Sequence, residues 1–547
     1  MADPQTLKKG ALVAATYDTL LQVGLRIMSF VLNAFIVRHV SHEVFAVMTV
    51  RLHLLYATGL LLSREAFRRA ALSSKGSGQV FKLINLIWIG WVVSVPVGCL
   101  GYGVWTWVMA QPPLAIAPHY ETAVVCVAAS IVVEVAAEVP FVLAELQLWN
   151  KTRVSIEGLM QTLRSLLLAA FIFLWPSQSV LLYGISHLFG SFVYAASYYI
   201  LFAYVLRRKG GAKTLPVHSF WQLFPTWEQG KWVPSVDKEL GGLAWSFFQQ
   251  GWLKEALTEG EFYLMNFFPL ISLAQQGVYQ VVNNLGSLAA RLVFRSIETA
   301  AYKYFAQMMD RGKPVAEQNQ KHTAEVVRFL STLLHSLVLV SLIIVTFGWS
   351  YSSLALQLYG GAHLSESGTH LMRAQSFYVI FLAINGITEA YTFAAMSDSQ
   401  LQRYVGSAVL LTQVFGALGF IFANCINMSL RITYSLRFIH MQYQNSCHDP
   451  LASLLVQPKL LLVFLAAWVI TSTSESIVHP LSTVVHISIG AFTLLGVVFG
   501  LRWELRPLLE KVLDSIASVM TKFLPVRWHH CLQVTLLGSV RKILYNT

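Results

Sequence analysis

Charged residues are scarce in this chain of 547 residues: Asp, Glu, Lys and Arg together account for 12% of it, about half the share found in soluble domains. Hydrophobic residues account for 55%. The deficit of charge extends over the whole length, which excludes a soluble globular protein. Because about 20 apolar residues cross a bilayer as a helix, the composition predicts an all-α polytopic membrane protein.

Cysteines are also few, and two families of chemical motif are absent. The five cysteines form no CxxC pair, so neither a disulfide framework nor a zinc site is expected. No GxxxxGK[ST] sequence, which would bind a nucleoside triphosphate, occurs. We therefore expect no cofactor, no metal site and no catalytic residue. The net charge of +12 requires no nucleic-acid partner, because basic cytosolic loops produce such an excess in membrane proteins.

Apolar segments predict about 14 transmembrane helices in two pseudo-symmetric lobes around a central cavity. The predicted spans are 14–38, 42–62, 83–109, 121–146, 155–175, 179–206, 243–272, 277–306, 324–349, 370–396, 404–417, 418–438, 460–478 and 483–501. A segment rich in glycine and proline interrupts them and has the composition of a linker. The predicted organisation is an N-lobe at 1–206, a cytosolic linker at 207–240, a C-lobe at 241–501 and a cytosolic amphipathic or disordered tail at 502–547.

The distribution of lysine and arginine among the loops predicts the orientation. Basic residues follow spans two, four, six, eight and ten, with Arg64, Arg68 and Arg69 after span two. Neither residue type occurs in the opposite loops 110–120, 176–179, 273–276 and 351–369. Since short cytosolic loops carry the positive charge, both termini are predicted to be cytosolic.

An internal repeat relates the beginnings of the two lobes. Aligning 33–65 with 266–298 without gaps pairs identical residues at seven positions, among them Asn33 with Asn266 and Glu65 with Glu298. Such repeats are common in transporters and place the binding site at the interface between them. Five charged residues near the repeated helix ends are predicted to form gates or ion pairs: Arg64, Glu65, Glu259, Glu261 and Glu298.

Cationic residues inside the leading spans predict an anion-binding cavity. Ionisable groups within a span cost about 2.5–3.5 kcal/mol each, so they face an interior or water. Guanidinium groups bind phosphate oxygens through paired hydrogen bonds and stay charged when partly desolvated. The predicted substrate-binding residues are Arg26, Arg51, Lys254, Asn283, Asn284, Arg291 and Arg295. In the alternative interpretation, Arg26, Arg51 and Arg291 pair with Glu65, Glu259, Glu261 or Glu298 and only hold helices together.

Several longer segments carry a resemblance to a known family. They are "LNAFIVR", "LLSREAFRRA", "WSFFQQGWLKEALTEGEFYLMNF", "QGVYQVVNNLGSLAARLVFRSIE", "LAINGITEAYTFAAMS" and "FANCINM". With these segments the chain, from about residue 11 to 500, resembles the dolichol-linked oligosaccharide translocation proteins of the endoplasmic reticulum, the "requiring fifty-three" family. This family belongs to the multidrug/oligosaccharidyl-lipid/polysaccharide exporter superfamily.

The resemblance implies a non-enzymatic, flippase-like transporter in the endoplasmic reticulum membrane. Its substrate would be the mannose-rich dolichyl-diphosphate oligosaccharide, moved from the cytosolic to the lumenal leaflet for protein N-glycosylation. By analogy with related bacterial flippases, Arg26, Arg51 and Arg291 would hold the diphosphate. The implied partners are membrane lipid and the glycosyltransferases of N-glycan assembly. One alternative is an accessory factor that binds or presents this lipid without transporting it. Another, an ion-coupled drug exporter, is disfavoured for cationic drugs because the predicted cavity is cationic.

Overall fold

A computed structural model of the chain describes residues 24–25, 27–73, 80–147, 149–208, 215–226, 238–258, 260–268, 271–288, 294–313, 315–396, 417–444, 446, 450–478 and 482–501. These residues divide into two compact units, Met1–Gln280 and Val281–Thr547. The regular elements across the described ranges are helices. The prediction of an all-α polytopic membrane protein is confirmed.

The helices are numbered here in chain order. The first unit contains α1 (Ile27–His39), α2 (His42–Ser73), α3 (Val80–Val108), α4 (Tyr120–Val135), α5 (Glu138–Leu146), α6 (Asn150–Leu174), α7 (Ser179–Arg207), α8 (Lys238–Thr258) and α9 (Gly260–Phe267). Helix α10 (Leu273–Gly286) extends from the first unit into the second. The second unit continues with α11 (Arg295–Met308), α12 (Gln320–Gly360), α13 (Ala362–Ala395), α14 (Ala417–Tyr443), α15 (Pro450–Val478) and α16 (Thr483–Gly500).

Eight helices of the described residues are long and apolar enough to cross a bilayer: α2, α3, α6, α7, α12, α13, α15 and α16. A ninth crossing results if α4 and α5, which are bent by 42° at a short break, form one span. The total of fourteen stays a prediction, because the predicted spans 14–38, 243–272, 277–306 and 404–417 lie partly outside the described residues, and the predicted span 418–438 is not among these candidate crossings.

Helix α2 is longer than the sequence predicted. The predicted span ended at residue 62, whereas the helix continues to Ser73, so the arginines at 64, 68 and 69 are helical and do not lie in a loop. The predicted end was wrong because all three charges have carboxylate partners: Arg64 and Arg68 on other helices, and Arg69 on α2 itself. Two π-helical segments, Val47–Leu52 and Leu61–Glu65, widen the turns of α2. Such segments occur frequently at functional sites.

Each unit has its own apolar core. In the first, Ile84 of α3, Phe141 of α5 and Tyr198 of α7 are buried together. In the second, Phe305 of α11 and Tyr391 of α13 belong to a cluster that also includes side chains of α12 and α14. These cores fix the helices that carry the polar groups of each unit.

Candidate functional site

Two arginines of α2 meet two glutamates of the bent pair α4–α5. Arg64 and Arg68 lie four positions apart on α2 and share one face, and Glu134 and Glu138 lie on either side of the break between α4 and α5. Arg64 Nη1 lies 2.7 Å from Glu134 Oε1, and its Nε lies 3.6 Å from Glu138 Oε1. Arg68 donates to both oxygens of Glu138, at 2.8 and 2.5 Å. The four side chains therefore form one ion-pair network.

The carboxylate of Glu134 joins three helices. Its Oε1 accepts from Arg64 of α2, while its Oε2 accepts from the Tyr56 hydroxyl at 2.5 Å and from the Ser191 hydroxyl of α7 at 3.2 Å. Glu134 is only 3% exposed. Burial of a charge is tolerated only when partners and hydrogen bonds compensate it. The network meets that condition at Glu134.

The break between α4 and α5 lies next to this network. The Tyr199 hydroxyl donates to the backbone carbonyl of Ala136 at 2.7 Å, which satisfies one of the acceptors left at a helix end. The Arg68 guanidinium lies 3.7 Å from the centre of the Phe141 ring on α5, within the range of a cation–π contact. Arg68 thus binds α5 through both the Glu138 carboxylate and the Phe141 ring.

Arg51 lies closer to the N-terminal end of α2, in its first π-helical segment. It is 6% exposed, and its Nη1 donates to the Ala110 carbonyl at 2.5 Å. The Arg51 carbonyl in turn accepts from Trp105 Nε1 at 2.9 Å. Arg51 and Arg64 are 13 positions apart in one helix, which corresponds to about 20 Å at 1.5 Å per residue. The two arginines therefore occupy different depths of the first unit.

The predicted gate residues of the first unit make local contacts. Glu65 accepts from Arg69, four positions later on α2, at 2.8 Å, and both side chains are about one-third exposed. The hydroxyl of Tyr279 donates to Glu261 Oε2 at 2.8 Å. Glu65 also lines a shallow groove with apolar residues of α2 and α8. Pairing of these glutamates with Arg26 or Arg291 stays a prediction, because both arginines lie outside the described residues.

The predicted polar residues of the second unit lie on α10 and α11. Asn283 and Asn284 are half-buried, and Asn283 Oδ1 accepts weakly from Gln375 Nε2 at 3.4 Å. Arg295, the first residue of α11, is exposed. Among the predicted substrate-binding cations whose side chains are described, Arg295 is thus accessible while Arg51 is buried.

A second charged cluster connects α13 and α14. Arg431 Nη2 lies 2.5 and 2.6 Å from the two oxygens of Glu389, and Asn385 Nδ2 donates to Glu389 Oε2 at 2.9 Å. The Glu298 carboxylate of α11 lies directly against the backbone of Gly386. The pairing of Arg431 with Glu389 was not predicted. The available signal was an ionisable residue within each of two apolar spans.

Three predicted site residues lie outside the described residues: Arg26, Glu259 and Arg291. The backbone of Lys254 belongs to α8, but its side chain is also outside the described set. Their assignments to the cavity or to a gate stay predictions, as do those of the other named site residues.

The arrangement of the helices matches solved membrane transporters. The chain superposes on a lipid II flippase MurJ in an inward closed conformation with a TM-score of 0.61 and 12% identity, over 90% of this chain and 99% of that one. It superposes on an inward-facing multidrug resistance transporter of the MATE family and MOP superfamily with a TM-score of 0.53 and 11% identity, over 78% and 100%. The fold is therefore that of this class of multi-span exporters.

Sequence comparison places the chain within that class. A model of the family described as "Rft-1: Rft protein" matches residues 11–514. The Man(5)GlcNAc(2)-PP-dolichol translocation protein RFT1 of Mus musculus is 40% identical over 524 residues, 91% of this chain and 95% of the relative. The protein of the same name from Drosophila melanogaster is 36% identical, over 82% and 87%. The chain belongs to the Rft protein family.

Proposed function

We propose that this protein moves the Man5GlcNAc2-diphosphate-dolichol intermediate from the cytosolic to the lumenal leaflet of the endoplasmic reticulum for protein N-glycosylation. The observation that carries the proposal is 40% identity, over nearly the full length, to a relative named for this translocation. The flippase-type fold is consistent with it. The protein acts without a catalytic residue, and both termini face the cytosol.

The diphosphate is the part of this substrate that a membrane interior rejects most strongly. We assign its binding to Arg26, Arg51 and Arg291, with Arg295, Lys254 and the two asparagines as additional donors. Arg295 is exposed, which leaves its guanidinium accessible to a ligand. Arg51 is buried and bonded to a carbonyl, so its participation requires a conformational change in α2. Arg64 and Arg68 are committed to carboxylates, which supports a structural rather than a ligand-binding role for them.

The test uses the purified full-length chain in lipid vesicles with radiolabelled dolichyl-diphosphate oligosaccharide. A lectin added outside the vesicles traps the oligosaccharide that reaches the outer leaflet. We expect vesicles with the protein to exchange the lipid between leaflets faster than empty vesicles. Arg291→Ala and Arg295→Ala remove a charged donor worth about 1.5–3 kcal/mol and are expected to slow exchange by about 10- to 100-fold.

Arg328→Ala is the matched control, because Arg328 is an exposed arginine of α12 that is not assigned to the cavity. Exchange that is no faster than in empty vesicles contradicts the proposal. Saturable binding of the labelled lipid without exchange indicates instead the accessory role, in which the protein presents the lipid to glycosyltransferases. Equal rates for all three arginine variants contradict the assignment of the site but not of the function.

A further inference from the structure

Glu298 on α11 lies against the backbone of a neighbouring helix, at Gly386 of α13. Its side chain is half-buried, and its carboxyl group fills the space where a Cβ of residue 386 would lie. Only glycine leaves that space on the surface of α13. The contact therefore holds the Glu298 carboxyl group against the backbone of α13. The backbone amides and carbonyls of that helix are already hydrogen-bonded to one another.

The residue before Gly386 on α13 carries a buried acceptor that lacks a donor in the described part of the chain. Asn385 is 6% exposed, and its amide nitrogen is used by Glu389. Its amide oxygen is buried and accepts no hydrogen bond from the described part of the chain. Asn385 directly precedes Gly386, and Glu389 lies three positions after Gly386 on the same helix face. The hydrogen bond from Asn385 to Glu389 places the Asn385 amide beside that face. An unsatisfied buried acceptor costs about 1–3 kcal/mol, so a hydrogen-bond donor to this oxygen would stabilise the structure.

The charged groups that face Glu298 come from three helices. They are Glu389 on α13, Arg431 on α14 and Arg295 one turn earlier on α11 itself. The Glu389 carboxylate accepts hydrogen bonds from Arg431 and Asn385. Neighbouring carboxylates disfavour each other's charged form, whereas arginines favour it. The charges around Glu298 therefore act differently on its neutral and on its ionised form.

We propose that Glu298 is a proton-binding carboxyl: when neutral it occupies the Gly386 notch and donates its O–H to Asn385 Oδ1, and when ionised it leaves the notch towards the arginines. A neutral carboxyl has one O–H donor, and a carboxylate has none. One proton is taken from water and returned to water in each cycle, and no other bond is made or broken. We expect α11 and α13 to separate more readily when the proton leaves. Only this consequence for transport rests on the proposed function; the proton site itself does not.

The direct test measures protonation without transport. Difference infrared spectroscopy of the purified full-length protein during a pH titration detects the C=O band of a neutral carboxyl. We expect a titrating band that is lost in Glu298→Gln and retained in Glu366→Gln, which removes an exposed glutamate of the same helix as Gly386. Gly386→Ala keeps every titrating group but fills the notch, so it should shift the midpoint. Gly496→Ala, where nothing lies within 4 Å of the new Cβ, should not.

Exchange measurements in vesicles then test the consequence. We expect the exchange rate of the wild-type protein to depend on pH, by up to about tenfold per unit for a one-proton step, and that of Glu298→Gln to be flat. A band that persists unchanged in Glu298→Gln, or that responds to sodium at fixed pH instead of to protons, overturns the proposal. Exchange that fails in every variant contradicts the proposed function, while the infrared titration still decides the proton site.

Discussion

Replacing Glu138 by alanine removes both acceptors of the Arg68 guanidinium. The Glu138 side chain is 2% exposed and that of Arg68 is 17% exposed, so the arginine cannot regain full hydration after the change. The two lost hydrogen bonds are charge-assisted and worth about 1.5–3 kcal/mol each. Removal of one partner from a buried ion pair costs about 3–5 kcal/mol. We therefore expect Glu138→Ala to lower the free energy of unfolding by about that amount.

The measurement is equilibrium denaturant unfolding of the purified protein in mixed micelles, followed by intrinsic fluorescence. The double variant Arg68→Met/Glu138→Leu removes both charges, and because apolar replacement of a buried pair is often nearly neutral, it should be more stable than Glu138→Ala. Glu145→Ala is the control, since it breaks a 2.7 Å pair with Arg153 whose side chains are 26% and 30% exposed. Exposed pairs are worth about 0–1 kcal/mol.

Two results would refute this reasoning. One is a loss in Glu138→Ala no larger than in Glu145→Ala, which would mean that Arg68 is effectively hydrated. The other is a double variant whose loss equals the sum of the losses in Arg68→Met and Glu138→Leu measured separately, because residues that interact directly do not behave additively.

Three further predictions concern the same unit and the orientation. Gly277→Ala places a Cβ onto the backbone carbonyl of His42 and should destabilise the protein by about 1–3 kcal/mol. Gly496→Ala, within α16 and with open space around the new Cβ, should not destabilise it. Equal stability of the two variants would show that the backbone near His42 shifts to accommodate the Cβ. Tyr56→Phe removes a donor to the Glu134 carboxylate and should cost about 1.5–3 kcal/mol in the same unfolding assay, and an unchanged stability would contradict the bond. Epitope tags at both termini should bind antibody in cells whose plasma membrane alone is permeabilised, and protection of either tag would reverse the predicted orientation.

The pairing inside the first unit illustrates the limit of local sequence patterns. The contact between Glu65 and Arg69 follows from a spacing of four in one helix and needs no fold to be recognised. Arg64 and Arg68 find their partners 70 positions away. Their sequence neighbourhood indicated a cytosolic loop, because positive charge beyond an apolar run normally marks one. Packing of α4 and α5 against α2 supplied the carboxylates and kept the chain helical to Ser73.

The glycine at 386 is a second case of this kind. The repeat paired Glu65 with Glu298 and suggested equivalent roles. In the structure Glu65 is bound to an arginine of its own helix, whereas Glu298 lies against Gly386 on another. Two residues that are equivalent by alignment thus differ in environment, since the helices around them carry different side chains.

The sequence by itself determined the class of this protein and the membership of its family. Hydropathy acts over each segment of about 20 residues separately, and family motifs are contiguous, so both are readable without knowledge of any contact. Only the tertiary structure decided which charges are paired, that Arg51 is buried against a carbonyl while Arg295 is exposed, and where Glu298 lies. These properties depend on which helices become neighbours, and helix neighbours are chosen by packing between segments that are far apart in the chain.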